Sequence, residues 1–382
     1  MRSFLFFFFL QFSLFAVDYD FKGQFRVRNQ NRELTSLNGD RRNLIQLRAR
    51  TSLKVSVKKG LTLTLTPQAT KTFGEVQNSL LTSGDQFHSS VDIFEASVFS
   101  EEEGFSYQIG RQKLNYGDHL ILGTRNWTNG GLVFDALKLS FELGQGDLDF
   151  AYAKVSEGSD IVSTNDDINL AFLYYKIIKE KDLNLDAYII HNNDRQGDEV
   201  WALGSRYKGQ KRRWGWRSEI ILQSLPQTND SEHTIDLEGS FLVKSSLRTF
   251  IGWTQSSGRY NQLYTNRHFY NGMIDIVGRR NLEGFFAGAN YKIDDRWKLN
   301  FKWMNFNQMH KGIGAYDQAV ASLINGDRNN SDIGNEFDLS LHFQKNKYEN
   351  LSLGLSTFLH GDYFTSSPQA SRFFYLEYLF LL

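Results

Sequence analysis

Ile45-Gln46-Leu47-Arg48-Ala49-Arg50-Thr51-Ser52-Leu53-Lys54-Val55-Ser56-Val57 runs into the turn Lys58-Lys59-Gly60 and returns as Leu61-Thr62-Leu63-Thr64-Leu65. Ile45, Leu47, Ala49, Thr51, Leu53, Val55 and Val57 share one face, while Gln46, Arg48, Arg50 and Lys54 share the other. That is period two, the period of a β-strand with one greasy side and one wet side. On the return, Leu61, Leu63 and Leu65 alternate with threonines, which makes the pair a hairpin.

The same pattern fills the chain. Phe21, Gly23, Phe25 and Val27 alternate with Lys22, Gln24, Arg26 and Arg28. Leu137, Leu139, Phe141 and Leu143 oppose Lys138 and Glu142; Trp214, Trp216, Ile220 and Leu222 oppose Arg217, Glu219 and Gln223. Leu299, Phe301 and Trp303 oppose Lys298, Asn300 and Lys302, and Phe337, Leu339, Leu341 and Phe343 oppose Glu336, Asp338, Ser340, His342 and Gln344. A soluble sandwich strand also alternates, so one segment decides little. Repetition to the C-terminus decides more.

Strand starts read near 18, 43, 60, 90, 104, 132, 146, 167, 182, 199, 213, 232, 247, 282, 296, 333, 348 and 370, which gives eighteen strands. Tight turns at 58–60, 101–104, 144–146, 179–181, 209–212, 244–246, 294–295 and 346–349 alternate with longer connections. The longer ones fall near 31–42, 73–89, 114–131, 157–166, 193–198, 225–231, 258–281, 308–332 and 360–369. Short periplasmic turns and long extracellular loops are the asymmetry of an outer-membrane barrel. Both termini are then periplasmic, so the strand number is even, with sixteen or twenty the outcome of one miscounted hairpin. The last segment places Phe374, Leu376, Tyr378, Phe380 and Leu382 on one parity and its single acid, Glu377, on the other. It is expected to close the barrel on the first strand and leave no edge in lipid. The fold class is therefore all-β, an antiparallel transmembrane barrel.

Composition agrees. Aromatics make up 15% of residues, with 32 Phe and 17 Tyr, yet mean hydropathy is −0.43, as expected when every strand carries both a lipid face and a wet face. After the leader, no apolar run is long enough for a membrane helix. Cysteine is absent, so a closed hydrogen-bonded sheet, not disulfides, must hold an exported chain of this size. The balance of 43 basic and 43 acidic residues argues against nucleic acid as a partner. Met1-Arg2-Ser3, the Phe/Leu run of 4–10 and Ser13-Leu14-Phe15-Ala16 read as a signal peptide over 1–16, cut after Ala16, ahead of a single barrel over 17–382.

No catalytic constellation is present. His88, His119, His191, His233, His268, His310, His342 and His360 lack metal-ligand spacing, and no nucleophile elbow, phosphate loop or zinc-protease motif occurs. A hydrolase assembled from distant strands is the minor alternative. Asp317, Asp327, Asn329, Asn330 and Asp332 offer calcium-type oxygens in 308–332, but not at EF-hand spacing, and a flexible surface loop is the preferred reading. No cofactor is called for.

The wet-face charges are the sharper signal. Arg26, Arg28, Arg48, Arg50, Lys138, Arg206, Arg217 and Lys302 fall on lumen parity, as do Glu95, Glu142, Glu219, Glu336 and Asp338. Charges there cost little when hydrated or paired, whereas facing lipid they would be expensive. Two roles fit: pairing across the lumen to brace the wall, or lowering the barrier for an anionic solute.

The stretch Gly110-Arg111-Gln112-Lys113-Leu114-Asn115-Tyr116-Gly117-Asp118, continuing through Leu120-Ile121-Leu122-Gly123, Asn126-Trp127-Thr128-Asn129 and Phe134-Asp135-Ala136-Leu137-Lys138-Leu139, resembles the alginate-export family of outer-membrane barrels. Leu263-Tyr264-Thr265 with His268, Gly272-Met273-Ile274-Asp275 and Gly334-Asn335-Glu336-Phe337-Asp338-Leu339 add to the resemblance. It implies a monomeric eighteen-stranded barrel with a narrow basic conduit, used in the alginate exporter for a polyuronate, and a loop folded back toward the pore. Carried over by position, Arg111, Arg125, Asp135 and Lys138 become pore candidates. Arg111 shares parity with Phe105, Tyr107 and Ile109, which leaves the rim open as its place.

The pore-lining set expected is thus Arg48, Arg50, Arg111, Arg125, Asp135, Lys138, Arg206, Arg217, Glu219, Lys302, Glu336 and Asp338. The function expected is passive diffusion of small or extended polar solutes, anionic ones among the options, narrowed by a loop around 114–131. An exporter of an alginate-like polysaccharide with periplasmic partners, and a structural or adhesion barrel with a blocked lumen, are the alternatives. Outer-membrane lipid and lipopolysaccharide are the expected surroundings, in a Gram-negative cell.

Overall fold

The computed structural model describes residues 18–34, 40–58, 60–77, 90–156, 168–194, 199–365 and 370–382. The leader and its cut after Ala16 lie outside them, as do the connections at 78–89, 157–167 and 195–198. Eighteen strands follow one another. The first six are β1 (Asp18–Leu34), β2 (Asp40–Lys58), β3 (Leu61–Gln77), β4 (Ser90–Glu102), β5 (Phe105–Gln112) and β6 (Phe134–Leu143). Next come β7 (Gly146–Ser156), β8 (Ile168–Lys179), β9 (Leu183–Asp194), β10 (Glu199–Lys211), β11 (Trp214–Leu225) and β12 (Asp230–Lys244). The last are β13 (Leu247–Ser256), β14 (Leu282–Lys292), β15 (Trp297–Gln308), β16 (Asp332–Gln344), β17 (Glu349–His360) and β18 (Ala370–Leu381). Among the described residues the one helix is a single turn, α1 (Arg267–Tyr270).

Each strand pairs antiparallel with its neighbours in sequence, and β1 pairs with both β2 and β18, so the sheet closes. At the seam Phe25 stands opposite Phe380, and Gly23 and Leu382 exchange backbone hydrogen bonds of 3.2 and 2.8 Å. Closure satisfies every ladder within the wall, which lipid demands because no water is there to do it. The strand starts fall close to those read from alternation. The largest displacement is at β2, read from 43 and found from Asp40.

Among the described connections, one differs from the expected alternation of lengths. The segment read as long at 225–231 is only 226–229, because Ser224 pairs with Ser231 and Leu225 with Asp230. It is no longer than the turn at 293–296. Among the tight turns, Gly60 has φ +81 and sits against the Glu101 carbonyl, 2.3 Å from where a Cβ would lie, so only glycine fits.

The wall is inside-out relative to a soluble protein. In β11, Arg217, Glu219 and Gln223 are buried, whereas Trp214, Ile220 and Leu222 are exposed. Leu203, Ile251 and Leu355 are likewise exposed on neighbouring faces. Apolar side chains outward and charges inward is the pattern a lipid-facing barrel requires.

The interior is filled where long connections turn inward. Leu114, Tyr116, Leu120, Ile121 and Leu122 of the segment 113–133 pack on Phe134, Ala151, Phe172, Tyr174 and Tyr188 of the wall. Ile274, Ile276 and Val277 of 257–281 and Ala315 and Ile324 of 309–331 pack on Met304, Phe306, Phe358 and Phe373. At about 1.5–3 kcal/mol for each large apolar side chain buried, these contacts suffice to fix the loops. The reading of 308–332 as a flexible surface loop is thereby corrected. Its apolar residues are few and scattered among Gly, Asn and Asp, so no period betrays that they reach the core. Asp317 is buried and accepts from the amides of Ala321 and Ser322 at 2.9 and 3.4 Å; Asp327 accepts from the Asn329 amide at 2.9 Å. These carboxylates cap turns.

Candidate solute-conducting lumen

Four arginines on two adjacent strands form the densest charge in the lumen. Arg26 of β1 stands directly opposite Arg48 of β2, with Arg28 and Arg50 one step along on either side. Like charges opposed across an antiparallel pair repel. The repulsion is answered by the segment 126–130, whose carbonyls turn toward the guanidinium groups. Arg26 donates to Asn126 O at 3.1 Å and Thr128 O at 3.2 Å, and Arg48 to the same two at 3.1 and 3.2 Å. Arg28 donates to Trp127 O at 2.7 Å and Arg50 to Gly130 O at 2.9 Å. Glu377, the acid that alternation put on the wet side of β18, lies 3.8 Å from Arg26 and 3.6 Å from Arg28. Arg50 also bonds Gln68 and stacks its guanidinium 3.5 Å over the Phe94 ring. Arg48, expected at the pore surface, is therefore 1% exposed and serves as an anchor for the loop.

Two loops then meet across the barrel. Leu122 bridges Tyr264 in parallel, Asn266 N donates to His119 O at 2.9 Å, and Thr265 Oγ1 to Leu120 O at 2.5 Å. Arg125, in the left-handed region at φ 45, donates to Leu263 O at 2.7 Å. Val277 bridges Asp317 and Gln262 donates to Gln318 O at 2.7 Å, which joins the third loop to the second. The result is a plate of backbone running from β5 and β6 to β13 and β14, on opposite sides of the ring.

Most of the remaining lumen charges tie that plate to the wall. Arg206 bonds Asp118 and Asp186, each at 2.8 Å, and Lys208 reaches Asp118 at 2.6 Å. Burial raises the Asp118 carboxyl, but these two cations outweigh it and hold it below the usual carboxylate range. Arg217 pairs with Asp236 at 2.5 Å and Glu238 at 3.3 Å, and Arg279 of the second loop reaches Asp236 at 2.9 Å. Glu219 accepts from Tyr188 at 2.6 Å. Glu336 and Asp338 accept from the amides of Ile274 and Met273 at 2.9 and 3.2 Å, with Ser356 bonded to both. Lys302 donates to the Phe269 and Tyr270 carbonyls of α1 at 3.2 and 3.4 Å. Lys138 faces a separate cavity of about 230 Å³ at the short-turn end, with Asp149 and Lys176.

Arg111 and Asp135 depart from the expected set. They pair with each other at 2.8 Å, on the parity of Ile109 and Leu137, which are exposed, while Phe134 and Ala136 turn inward and are buried. Both lie at the long-loop ends of β5 and β6, so the pair sits on the outer face at the rim. An ion pair is cheap there and dear at mid-membrane.

Three cavities descend through the lumen. The outer one, about 320 Å³, is lined by Arg28, Arg32, Arg42, Arg125 and Arg267 and, among the described residues, by a single carboxylate, Asp275. The middle one, about 540 Å³, has Arg217 and Lys302, three acids (Asp236, Glu238 and Asp338), and a lining of Phe, Tyr and Trp rings. The third, about 380 Å³, shares Arg217, Glu238 and Phe269 with the middle one and continues to the short turns beside Lys181 and Asp182. Trp127, Asn266 and His268 line both the outer and the middle cavity. Sequence reasoning missed Arg32, Arg42, Arg267, Asp275 and His268 as a group. Arg32 and Arg42 continue the lumen parity of Arg28 and Gln46 but fall in the stretch read as the connection 31–42, and Arg267, His268 and Asp275 come from a loop that has no period.

The alginate export family matches residues 17–234 and 253–375. No curated protein matches the chain. Among solved structures, a BenF-like porin from Pseudomonas fluorescens Pf-5 superposes with TM-score 0.67 at 10% identity, covering 96% of this chain and 99% of that one. The outer membrane protein OpdK of Pseudomonas aeruginosa gives 0.66 at 11% identity, over 96% and 98%. OccK5 (OpdH) of the same organism gives 0.65 at 10%, over 96% and 98%. At such identity the likeness is one of fold. The family match takes in the loop plate and the closed wall apart from most of β12, most of β13 and the second half of β18, and the chain belongs to the alginate-export family of outer-membrane, porin-like β-barrels.

Proposed function

We propose that the barrel is a passive channel for small anionic solutes, entered from the long-loop side, which we infer to be extracellular. The observation that carries this reading is the outer cavity, whose lining among the described residues holds five arginines and one carboxylate. Such an excess concentrates anions and lowers the barrier to their entry, while the mixed charges of the middle cavity hold them loosely enough to leave. Arg125 is the member of the expected set that lines this cavity. Arg206, Arg217, Glu336, Asp338 and Lys302 act mainly by bracing the plate, and Glu219 by bonding Tyr188 within the wall. The channel works as a monomer surrounded by outer-membrane lipid and lipopolysaccharide, without enzymatic chemistry.

Family membership supports a second reading, export of an acidic polysaccharide. Against it stands the hydrogen-bonded plate across the lumen, which an extended polymer would have to part. Liposome swelling separates the readings. Proteoliposomes should admit small organic anions faster than neutral solutes of equal size. Equal rates for both would overturn the anionic preference, and no swelling with any solute would favour a blocked, structural barrel.

A further inference from the structure

The outer and middle cavities meet at one pair of rings. Trp127, from the loop between β5 and β6, stacks on His268, from the loop between β13 and β14, with centroids 3.7 Å apart and planes 8° from parallel. The guanidinium carbon of Arg28 also lies 3.7 Å from the Trp127 centroid. Two planar groups at that distance cannot share a face, so the indole is clamped on both sides. Its edge meets Tyr375 at 5.0 Å in a T-shaped contact.

Both clamps are themselves held. Arg28 donates to the Trp127 carbonyl at 2.7 Å, and His268 Nδ1 lies 3.0 Å from Asp275, which also pairs with Arg32 at 3.3 Å. Cation–π and stacked contacts are both attractive, so a ring held from both faces does not swing freely. A braced ring at a boundary between two chambers behaves as a fixed aperture.

The geometry points to the Trp127–His268 stack as the size-selecting partition of the lumen, the step at which an anion gathered by the outer arginines is admitted to the middle cavity or refused. This rests on the channel reading above and adds where discrimination by size occurs. Charge selection and size selection are then separate. The arginines choose sign, and the rings choose bulk.

The test is single-channel recording in planar bilayers with chloride and the bulkier gluconate, on wild type, Trp127→Ala, Trp127→Phe and His268→Ala. Removing the indole should raise the gluconate-to-chloride permeability ratio by about 3-fold or more, with Trp127→Phe in between, because conduction through a constriction follows its open width. Arg111→Gln, on the outer face at the rim and in contact with neither ring, controls for the loss of an arginine and should leave the ratio near that of wild type. A ratio unchanged in both alanine variants would overturn the partition. So would an equal rise in Arg111→Gln. Wild type that is silent while Trp127→Ala conducts would support the partition and overturn the open-channel reading, and silence in all variants would overturn both.

Discussion

Arg26 and Arg48 face each other across β1 and β2, and both donate to the same two carbonyls, those of Asn126 and Thr128. Two adjacent cations thus share one strip of loop backbone as their common counter-dipole. Replacing Arg48 by Met removes two charged-donor hydrogen bonds and the repulsion from Arg26, Arg28 and Arg50. Each such bond contributes about 1.5–3 kcal/mol, so the loop should loosen even after the repulsion is relieved. We expect protease cleavage within 113–133 in lipid vesicles, where wild type resists it, and a noisier open level. Equal resistance in the two proteins would mean that the apolar contacts alone hold the loop.

The arginines of the outer cavity should set ionic preference, and the rim pair should not. Arg32→Gln with Arg42→Gln is expected to shift the reversal potential toward zero in a salt gradient, and Arg125→Gln with Lys138→Gln to do so as well. Arg111→Gln, on the outer face, should leave it in place. A shift from Arg111→Gln as large as from Arg32 and Arg42 would reverse the assignment of faces.

Asp118 gives the loop a pH dependence whose sign follows from its lowered pKa. Its contribution is fully present above the unfolded carboxylate value and is lost as pH falls through the lower, folded one. Acidification below the ordinary carboxylate range should therefore release the contacts to Arg206 and Lys208. Hydrogen exchange of amides in 113–122 should rise there. Asp118→Asn should show the fast exchange already at neutral pH and no acid step. An acid step that persists in the variant would assign it to another group.

Gly272, at φ +91, lies against Glu336, with the carboxylate 2.3 Å from where a Cβ would stand. Gly272→Ala should push the second loop off Glu336 and Asp338, because neither the backbone angle nor the space admits a side chain. Greater exchange of the Met273 and Ile274 amides would report it, with the barrel itself still folded by circular dichroism. Unchanged protection would show that those amides are held by other contacts.

How much of this was legible beforehand follows from where each residue sits. On strands, parity alone put Arg217 and Glu219 inside and Ile220 and Leu222 outside, and the turn lengths gave a closed even sheet. Arg111 was ambiguous because its strand carries apolar residues on its own parity, and only its pairing with Asp135 beyond the lipid band resolves it. The cavity is different. Trp127 and His268 are 141 positions apart by their numbers, on loops with no repeat, and meet only because the plate spans the ring. Arg48 looked like a pore residue for the reason that makes it an anchor: a cation on the wet face attracts whatever carries negative charge, and a loop carbonyl arrived before any solute.

The central claim is that the lumen conducts and prefers anions. The most direct measurement is the reversal potential of purified wild-type channels across a potassium chloride gradient in a planar bilayer. The account expects discrete openings whose reversal potential has the sign of chloride over potassium. Openings with the potassium sign, or a bilayer that stays silent with folded barrel inserted, would contradict it.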